Sequence, residues 1–160
     1  MKLKKLFFIV AITFGLATLM STKCEKDEPS DPSNCTEVVS ASSTGYFTLS
    51  FCFDNVTSYS FEPENSISFW ARETLTDYGM DISIYAKDDI PVSIGTYNCG
   101  SGEQGFVELI TAQDGDFYKS QSGTITITSA SATSFKASFN VTAKGYYNGE
   151  IINFSGTINK

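Results

Sequence analysis

The sequence contains no histidine, and this absence removes several common kinds of active site. Serine and cysteine nucleophiles usually depend on a neighbouring imidazole as their base, and zinc sites built on histidine are excluded for the same reason. The four cysteines are too widely scattered to form a four-cysteine zinc cluster. Catalysis would have to use carboxylates, tyrosine or lysine, so we expect a protein that is not an enzyme.

Basic residues are also scarce. Arg72 is the only arginine, and 18 acidic against 11 basic side chains give a net charge of −7. Loss of residues 1–23 would remove four lysines and take the net charge to −11. Without a basic patch the chain lacks the usual means of neutralising a phosphate backbone, which argues against nucleic acid as a partner.

The single long apolar run is too short to cross a bilayer comfortably. Residues 6–20 are uncharged and follow a basic start formed by Lys2, Lys4 and Lys5. A membrane-spanning helix needs about 20 apolar residues, whereas this shorter run is typical of a secretory signal. We therefore predict a signal peptide over residues 1–23 and an exported protein, with a retained single-span anchor as the alternative.

Cys24 follows the predicted signal and begins an acidic stretch, EKDE at residues 25–28. This arrangement resembles the lipoprotein signals of the Bacteroidota, although Lys23 stands where those signals usually carry a small residue. The resemblance implies a lipid on Cys24, attachment to the membrane and a place in the cell envelope as an outer-membrane lipoprotein. Cleavage after Ser21, with Cys24 in a disulfide or as a free thiol, is the alternative. Residues 24–36 hold two prolines and no aliphatic or aromatic side chain, which predicts a flexible tether.

The remaining cysteines predict a disulfide. If Cys24 carries lipid, an oxidising compartment leaves Cys35, Cys52 and Cys99 to form one bridge and one free thiol. We expect either Cys35 or Cys52 to pair with Cys99, and the sequence leaves that choice open. If Cys24 is not lipidated, two bridges are possible in three connectivities.

Residues 37–160 predict a single all-β domain. Apolar and polar residues alternate, and no segment carries a helical apolar stripe over three turns. Strands are predicted over residues 46–54, 92–98 and 106–112. The first of them places four apolar side chains on one face, namely Phe47, Leu49, Phe51 and Phe53.

Further strands follow when the alternation is matched to the turn residues. A turn centred on Thr76 and Asp77 joins residues 66–73 to 80–87, and Asn148-Gly149 predicts a type I′ turn. A loop at residues 130–132 completes a three-strand meander over 123–159. The predicted apolar pairs are Ile67–Ala86, Phe69–Ile84, Ala71–Ile82, Ile125–Ala137, Ile127–Phe135, Phe139–Ile158, Val141–Gly156 and Ala143–Phe154. The other face of the first hairpin pairs Arg72 with Asp81 and Trp70 with Ser83.

These segments make about eight short antiparallel strands. Such a number, with alternating faces, predicts a β-sandwich, and a flattened barrel is the alternative.

Three stretches of the second half carry a resemblance: GTYNC, SGTITITSASATSFKASFNVTAKG and EIINFSGTINK. Together with the N-terminal signal they resemble small exported lipoprotein domains of unknown function from Bacteroidota. The likeness covers about two thirds of the chain, and it rests on β-strand patterning. It implies an exported β domain and provides no catalytic residue.

Trp70 is the most informative side chain for a binding site. The alternation puts it on the polar face of its strand with Arg72, and Tyr85 lies diagonally across the hairpin. A flat aromatic surface of this kind stacks against sugar rings, so Trp70, Tyr85 and Arg72 are candidate ligand-binding residues. Because large aromatic side chains are mostly buried, we expect instead that a second sheet or a loop covers Trp70.

Asp114 and Asp116 flank a glycine in a predicted turn and are candidate ligands for Ca²⁺. Turn chemistry alone explains the same residues, since Asp and Gly favour such positions. No other cofactor is expected.

These features predict a non-catalytic binding or accessory module of the cell envelope, with a glycan or another surface molecule as partner. A structural or adhesion component is the alternative, and a protease inhibitor or a small hydrolase ranks below both. The sequence leaves the oligomeric state open.

Overall fold

The computed structural model of the protein describes residues 38–74, 76–111 and 115–160. Within these ranges the fold is all-β, which confirms the predicted class, and no helix occurs that could cross a membrane. Ten strands are present instead of about eight. They are β1 (Val39–Gly45), β2 (Leu49–Phe53), β3 (Asn55–Glu62), β4 (Ser66–Arg72), β5 (Gly79–Tyr85), β6 (Gly95–Asn98), β7 (Gly105–Ile110), β8 (Phe117–Ser131), β9 (Ser134–Gly145) and β10 (Ile151–Asn159).

The strands form one antiparallel sheet that is nearly closed into a barrel-like or sandwich-like fold. Their order is β2-β1-β10-β9-β8-β7-β5-β4-β3, and β6 pairs separately with β8. The two end strands, β2 and β3, are joined through Asp54. Two hydrogen bonds tie this end of the sheet to the segment after β4: the Cys52 N–H donates to Glu73 Oε1 (3.3 Å), and the Thr74 N–H donates to Asp54 Oδ1 (2.8 Å).

The inner face of the sheet holds the core. Every strand longer than β6 except β3 alternates buried and more exposed side chains over part of its length, as period-2 geometry requires. Aromatic rings dominate the interior: Phe51 lies 5.8 Å from Phe154 and Phe69 lies 5.9 Å from Phe135, measured between ring centroids. Burial of these large apolar surfaces is the main stabilising contribution to the fold.

The sequence analysis missed β1 and β3. In β1 the inward positions include Ala41 and Ser43, which are too small to produce a visible apolar alternation. In β3 no residue is fully buried, and polar residues predominate. Both strands are held by pairing with neighbours that are better marked in the sequence, β10 and β4.

All three predicted registers are wrong by two residues. Ile67 pairs with Ile84, Ala143 with Ile152 and Ile127 with Ala137. A shift of two residues keeps each side chain on its predicted face, since only a shift by an odd number reverses the faces. The predicted faces therefore remain correct although the partners change.

The turns explain two of these shifts. The Glu73 N–H donates to the Tyr78 carbonyl (2.9 Å), so the β4–β5 connection is wider than a turn on Thr76 and Asp77. In the β9–β10 connection the Gly145 N–H donates to the Glu150 carbonyl (2.8 Å), which leaves four residues in the loop. Asn148 has no positive φ there, so the predicted type I′ turn is wrong.

Candidate functional site

Trp70 lies on the outer face of β4. Its neighbours Phe69 and Ala71 are fully buried, whereas Trp70 is 37 % exposed. The expectation that a second sheet or a loop covers Trp70 is therefore wrong. A Cβ placed on Gly79 of β5 would lie 3.5 Å from Trp70 Nε1, so the edge of the indole rests beside this glycine and its ring stays accessible.

The other two predicted ligand-binding residues, Arg72 and Tyr85, lie on the same outer face as Trp70 but do not have the predicted positions relative to it. Arg72 faces Gly79 and not Asp81, because the register differs from the predicted one. Tyr85 is 51 % exposed and pairs with Ser66, four positions along the ladder from Trp70. At about 3.4 Å per residue this separation exceeds a direct contact, so the structure does not join Tyr85 to Trp70 in one aromatic patch.

A line of charged side chains crosses the sheet from Trp70. Trp70 pairs with Asp81, Asp81 with Glu108, Glu108 with Lys119 and Lys119 with Lys144. We call Trp70, Asp81, Glu108, Lys119 and Lys144 the outer row. It spans β4, β5, β7, β8 and β9, a distance of about 19 Å at the usual strand spacing.

The charges of the outer row are arranged by sign. The two acids follow Trp70, and the two lysines follow the acids. The Lys119 ammonium lies 3.5 Å from Glu108 Oε1, the one ion pair found within the described residues. The row has no net charge as a whole, but the end next to Trp70 is acidic and the other end is basic.

The two acids of the outer row have raised pKa values. Burial raises the pKa of Asp81, and the hydrogen bond from Ser83 Oγ (3.2 Å) opposes this only in part. Burial also raises the pKa of Glu108; Lys119 lowers it and the Asp81 carboxylate raises it further. Partly desolvated carboxylates at the surface are strong acceptors for hydroxyl groups of a ligand.

A groove lies at the lysine end of the row. Its volume is about 230 Å³, and its lining consists of Lys119, Gln121, Lys144, Gly145 and Tyr146. The Tyr146 side chain is 69 % exposed, and the Lys119 ammonium lies 5.6 Å from the centre of its ring. We call this site the lysine groove.

Asp116, a predicted calcium ligand, is instead bound to the backbone. It is 2 % exposed, and its oxygens accept hydrogen bonds from the N–H groups of Phe117 (2.8 Å), Tyr147 (2.9 Å) and Asn148 (3.2 Å). A cation at this carboxylate would compete with these donors. Asp114 lies outside the described residues, and within them no group of three metal-ligating side chains occurs.

The predicted pairing of Cys99 is wrong. Cys99 is a free thiol that is buried in the core, and Cys52 is disulfide-bonded. Cys99 faces inwards, and its burial shields the free thiol from oxidants. Cys24 and Cys35 lie outside the described residues.

The sequence analysis missed four members of the outer row: Asp81 as a binding residue, Glu108, Lys119 and Lys144. Alternation places Asp81, Glu108 and Lys144 on the polar faces of predicted strands, whereas Lys119 lies between two predicted strands. The sequence did not reveal the strand order. β5 pairs with β7 and not with β6, which is the next strand along the chain.

Comparison of the chain with known proteins gives no match to a protein family, a curated protein or a solved structure.

Proposed function

We propose that this protein is an exported lipoprotein of the cell envelope whose β domain is a non-catalytic module that binds a glycan. The observation that carries the proposal is the exposed indole of Trp70 beside two partly buried carboxylates, Asp81 and Glu108. An indole face stacks on the apolar face of a sugar ring, and the carboxylates accept hydrogen bonds from its hydroxyl groups. The predicted lipid on Cys24 would hold this domain at the membrane.

The direction of the outer row supports an elongated ligand. The row crosses five strands, so a glycan chain would run across the strands and contact Trp70 and the acids with successive rings. Tyr85 lies away from this line. A ligand that follows the row would therefore contact Trp70 and not Tyr85.

The first test is a titration of residues 34–160 with a panel of polysaccharides, followed by the fluorescence of Trp70, the only tryptophan. We expect an emission typical of a solvent-exposed indole, quenched by acrylamide, and protection from quenching by a glycan that binds. Calorimetry then gives affinities for variants. Trp70→Ala should weaken binding about tenfold or more, because a stacking platform is lost.

Two variants serve as controls for this titration. Ile90→Ala removes a side chain that is 66 % exposed in the β5–β6 connection and should leave the affinity unchanged. Tyr85→Ala should also have little effect. An accessible Trp70 that no polysaccharide protects would contradict glycan binding and favour the structural role in the envelope.

A hydrolase is the second candidate function, and the raised pKa values of Asp81 and Glu108 favour it. Asp81 and Glu108 are directly opposite on antiparallel strands, where Cβ atoms lie about 5 Å apart, so their carboxyl groups are neighbours, as the two carboxyl groups of a retaining glycosidase are. Release of reducing sugar from a bound polysaccharide, lost in both Asp81→Asn and Glu108→Gln, would favour this candidate over the non-catalytic one.

A further inference from the structure

Two lysines face each other directly at the end of the outer row. Lys119 of β8 pairs with Lys144 of β9. Like charges in directly opposed positions of antiparallel strands destabilise the pairing. In a chain with a net charge of −7, acidic partners for a lysine are plentiful, so the juxtaposition of two lysines is notable.

Glu108 relieves only part of this repulsion. Its carboxylate contacts Lys119 at 3.5 Å, and its side chain is 15 % exposed. On the other side Lys144 faces Ile151 of β10, which carries no charge. The three charged groups together therefore keep a net positive charge at the groove.

The lysine groove is a shallow depression in the surface. Its volume of about 230 Å³ is open to the solvent beside Lys119 and Lys144, and Gln121 adds an amide at its wall. Tyr146 presents an exposed ring within the same groove. The ring also contacts Tyr147 in an edge-to-face arrangement, with 5.0 Å between the ring centroids.

We propose that the lysine groove binds the anionic group of an acidic saccharide, a carboxylate or a sulfate, while its sugar ring stacks on Tyr146. This inference rests on the proposed glycan-binding function and specifies the ligand class. The anion would lie between the two ammonium groups and offset their repulsion, and the rest of the chain would follow the outer row towards Trp70. The acids next to Trp70 suit a neutral ring with free hydroxyl groups, so the ligand combines acidic and neutral positions.

The test uses two matched pairs of polysaccharides on the full-length protein. Polygalacturonate is compared with its methyl ester, and dextran sulfate with dextran, so that each pair differs in charge and shares its sugar backbone. We expect the charged member of at least one pair to bind about tenfold more tightly or better, with an affinity that falls as the salt concentration rises. The pair that responds distinguishes carboxylate from sulfate.

Three variants locate the binding. Lys144→Gln should weaken binding of the charged polymer about tenfold and leave that of the neutral polymer unchanged, because one charge-assisted contact is lost. Tyr146→Ala should weaken binding of the charged polymer as well. Lys136→Gln removes the same charge from an exposed position eight residues earlier on β9 and should change nothing.

The outcomes separate the two proposals. Binding of neutral polymers that depends on Trp70, with no preference for charge, would leave the glycan module standing and overturn the lysine groove. Equal effects of Lys136→Gln and Lys144→Gln would reveal general charge attraction and also overturn it. Competition by inorganic sulfate alone at the affinity of the polymer would mean that the groove binds a free anion, which contradicts the saccharide. Loss of all binding by every polymer would contradict both proposals.

Discussion

Asp116 is a buried carboxylate that holds the β9–β10 loop in place. Burial alone would raise its pKa, but the hydrogen bonds from the backbone N–H groups of the loop outweigh that effect and lower the pKa below its usual value. The same loop carries Tyr146, which lines the lysine groove. The ionised form of Asp116 therefore stabilises both the fold and the position of a proposed binding residue.

We predict that Asp116→Asn lowers the free energy of unfolding by about 2 kcal/mol at neutral pH, since an amide nitrogen replaces an acceptor that faces N–H donors. Because the pKa of Asp116 is lower in the folded state, its contribution is present above the unfolded value and is lost as the pH falls through the folded value. Urea denaturation over a series of pH values should thus show the largest difference between variant and wild type at neutral pH, and a difference that shrinks as the pH falls below the ordinary range of a carboxyl group.

The variant must be compared with wild type at each pH, because other acids change the pH dependence of stability in the opposite direction. Asp81 and Glu108 have raised pKa values, so their protonation favours the folded state as the pH falls. Asp88→Asn is a matched control at an exposed position with positive φ, which Asn also tolerates, and should change little. An Asp116→Asn protein as stable as wild type at neutral pH would refute the role given to this carboxylate.

At the scale of the strands, the sequence predicts faces better than partners. Phe69 faces the core and Trp70 faces outwards, as the alternation predicts. The β9–β10 register is displaced because it depends on the turn, and a contact distant in sequence fixes that turn: Asp116 accepts hydrogen bonds from the N–H groups of Tyr147 and Asn148. A local turn motif such as Asn148-Gly149 cannot reveal such a contact.

The candidate site was predictable to the same extent. The outward position of Trp70 follows from its own strand, and so do those of Arg72 and Tyr85. The outer row depends on β7 lying between β5 and β8, a pairing of strands that are not consecutive along the chain. Alternation within single strands contains no information about that order, which is why Glu108 and Lys119 were missed.

The long strand β8 makes this order possible by bending. Its start pairs with β7 and its later part pairs with β6, and β-bulges interrupt its register with β9 between Ser120 and Ser122 and between Ile127 and Ser129. Gly123 follows the first bulge with a φ of 116°. A Cβ at this position would lie 2.2 Å from the Asn140 carbonyl oxygen, so only glycine fits there.

Gly123→Ala should destabilise the protein by about 3 kcal/mol, because backbone strain adds to the clash with β9. The free energy of unfolding from urea denaturation measures this loss. Gly79→Ala is the matched control: the added methyl would meet the Ile110 side chain and Trp70 Nε1 at 3.4 and 3.5 Å, which is ordinary contact. Equal stabilities of the two variants would show that the bend of β8 does not require glycine.

At the scale of the whole molecule, the pairing of the cysteines in the domain bears on the proposed lipid anchor at Cys24. Within the described residues, Cys52 is disulfide-bonded and Cys99 is free. A lipid on Cys24 would leave Cys35 as the partner of Cys52 within the chain. Burial, with a smaller effect of the nearby Glu103 carboxylate, raises the pKa of Cys99 to about 11, so this thiol is un-ionised at neutral pH and shielded from reagents.

We therefore predict a defined number of reactive thiols in the full-length protein extracted from membranes. Iodoacetamide should add nothing to the folded protein at about pH 8, because the thiolate is the reactive form and Cys99 is buried. Unfolding without a reductant should expose one thiol, Cys99, and unfolding with a reductant should expose Cys35 and Cys52 as well. Intact mass and peptide mapping measure each step.

A cysteine variant provides the control for this labelling experiment, and the mapped disulfide provides the result that would contradict the prediction. Cys99→Ser should show no reactive thiol after unfolding without reductant, which assigns the single label. A mapped bridge between Cys24 and Cys52, with Cys35 alkylated, would refute the lipid anchor, because a thioether-linked cysteine cannot also form a disulfide. Such a protein would still present Trp70 and the lysine groove, so glycan binding by the domain and its attachment to the membrane can fail independently.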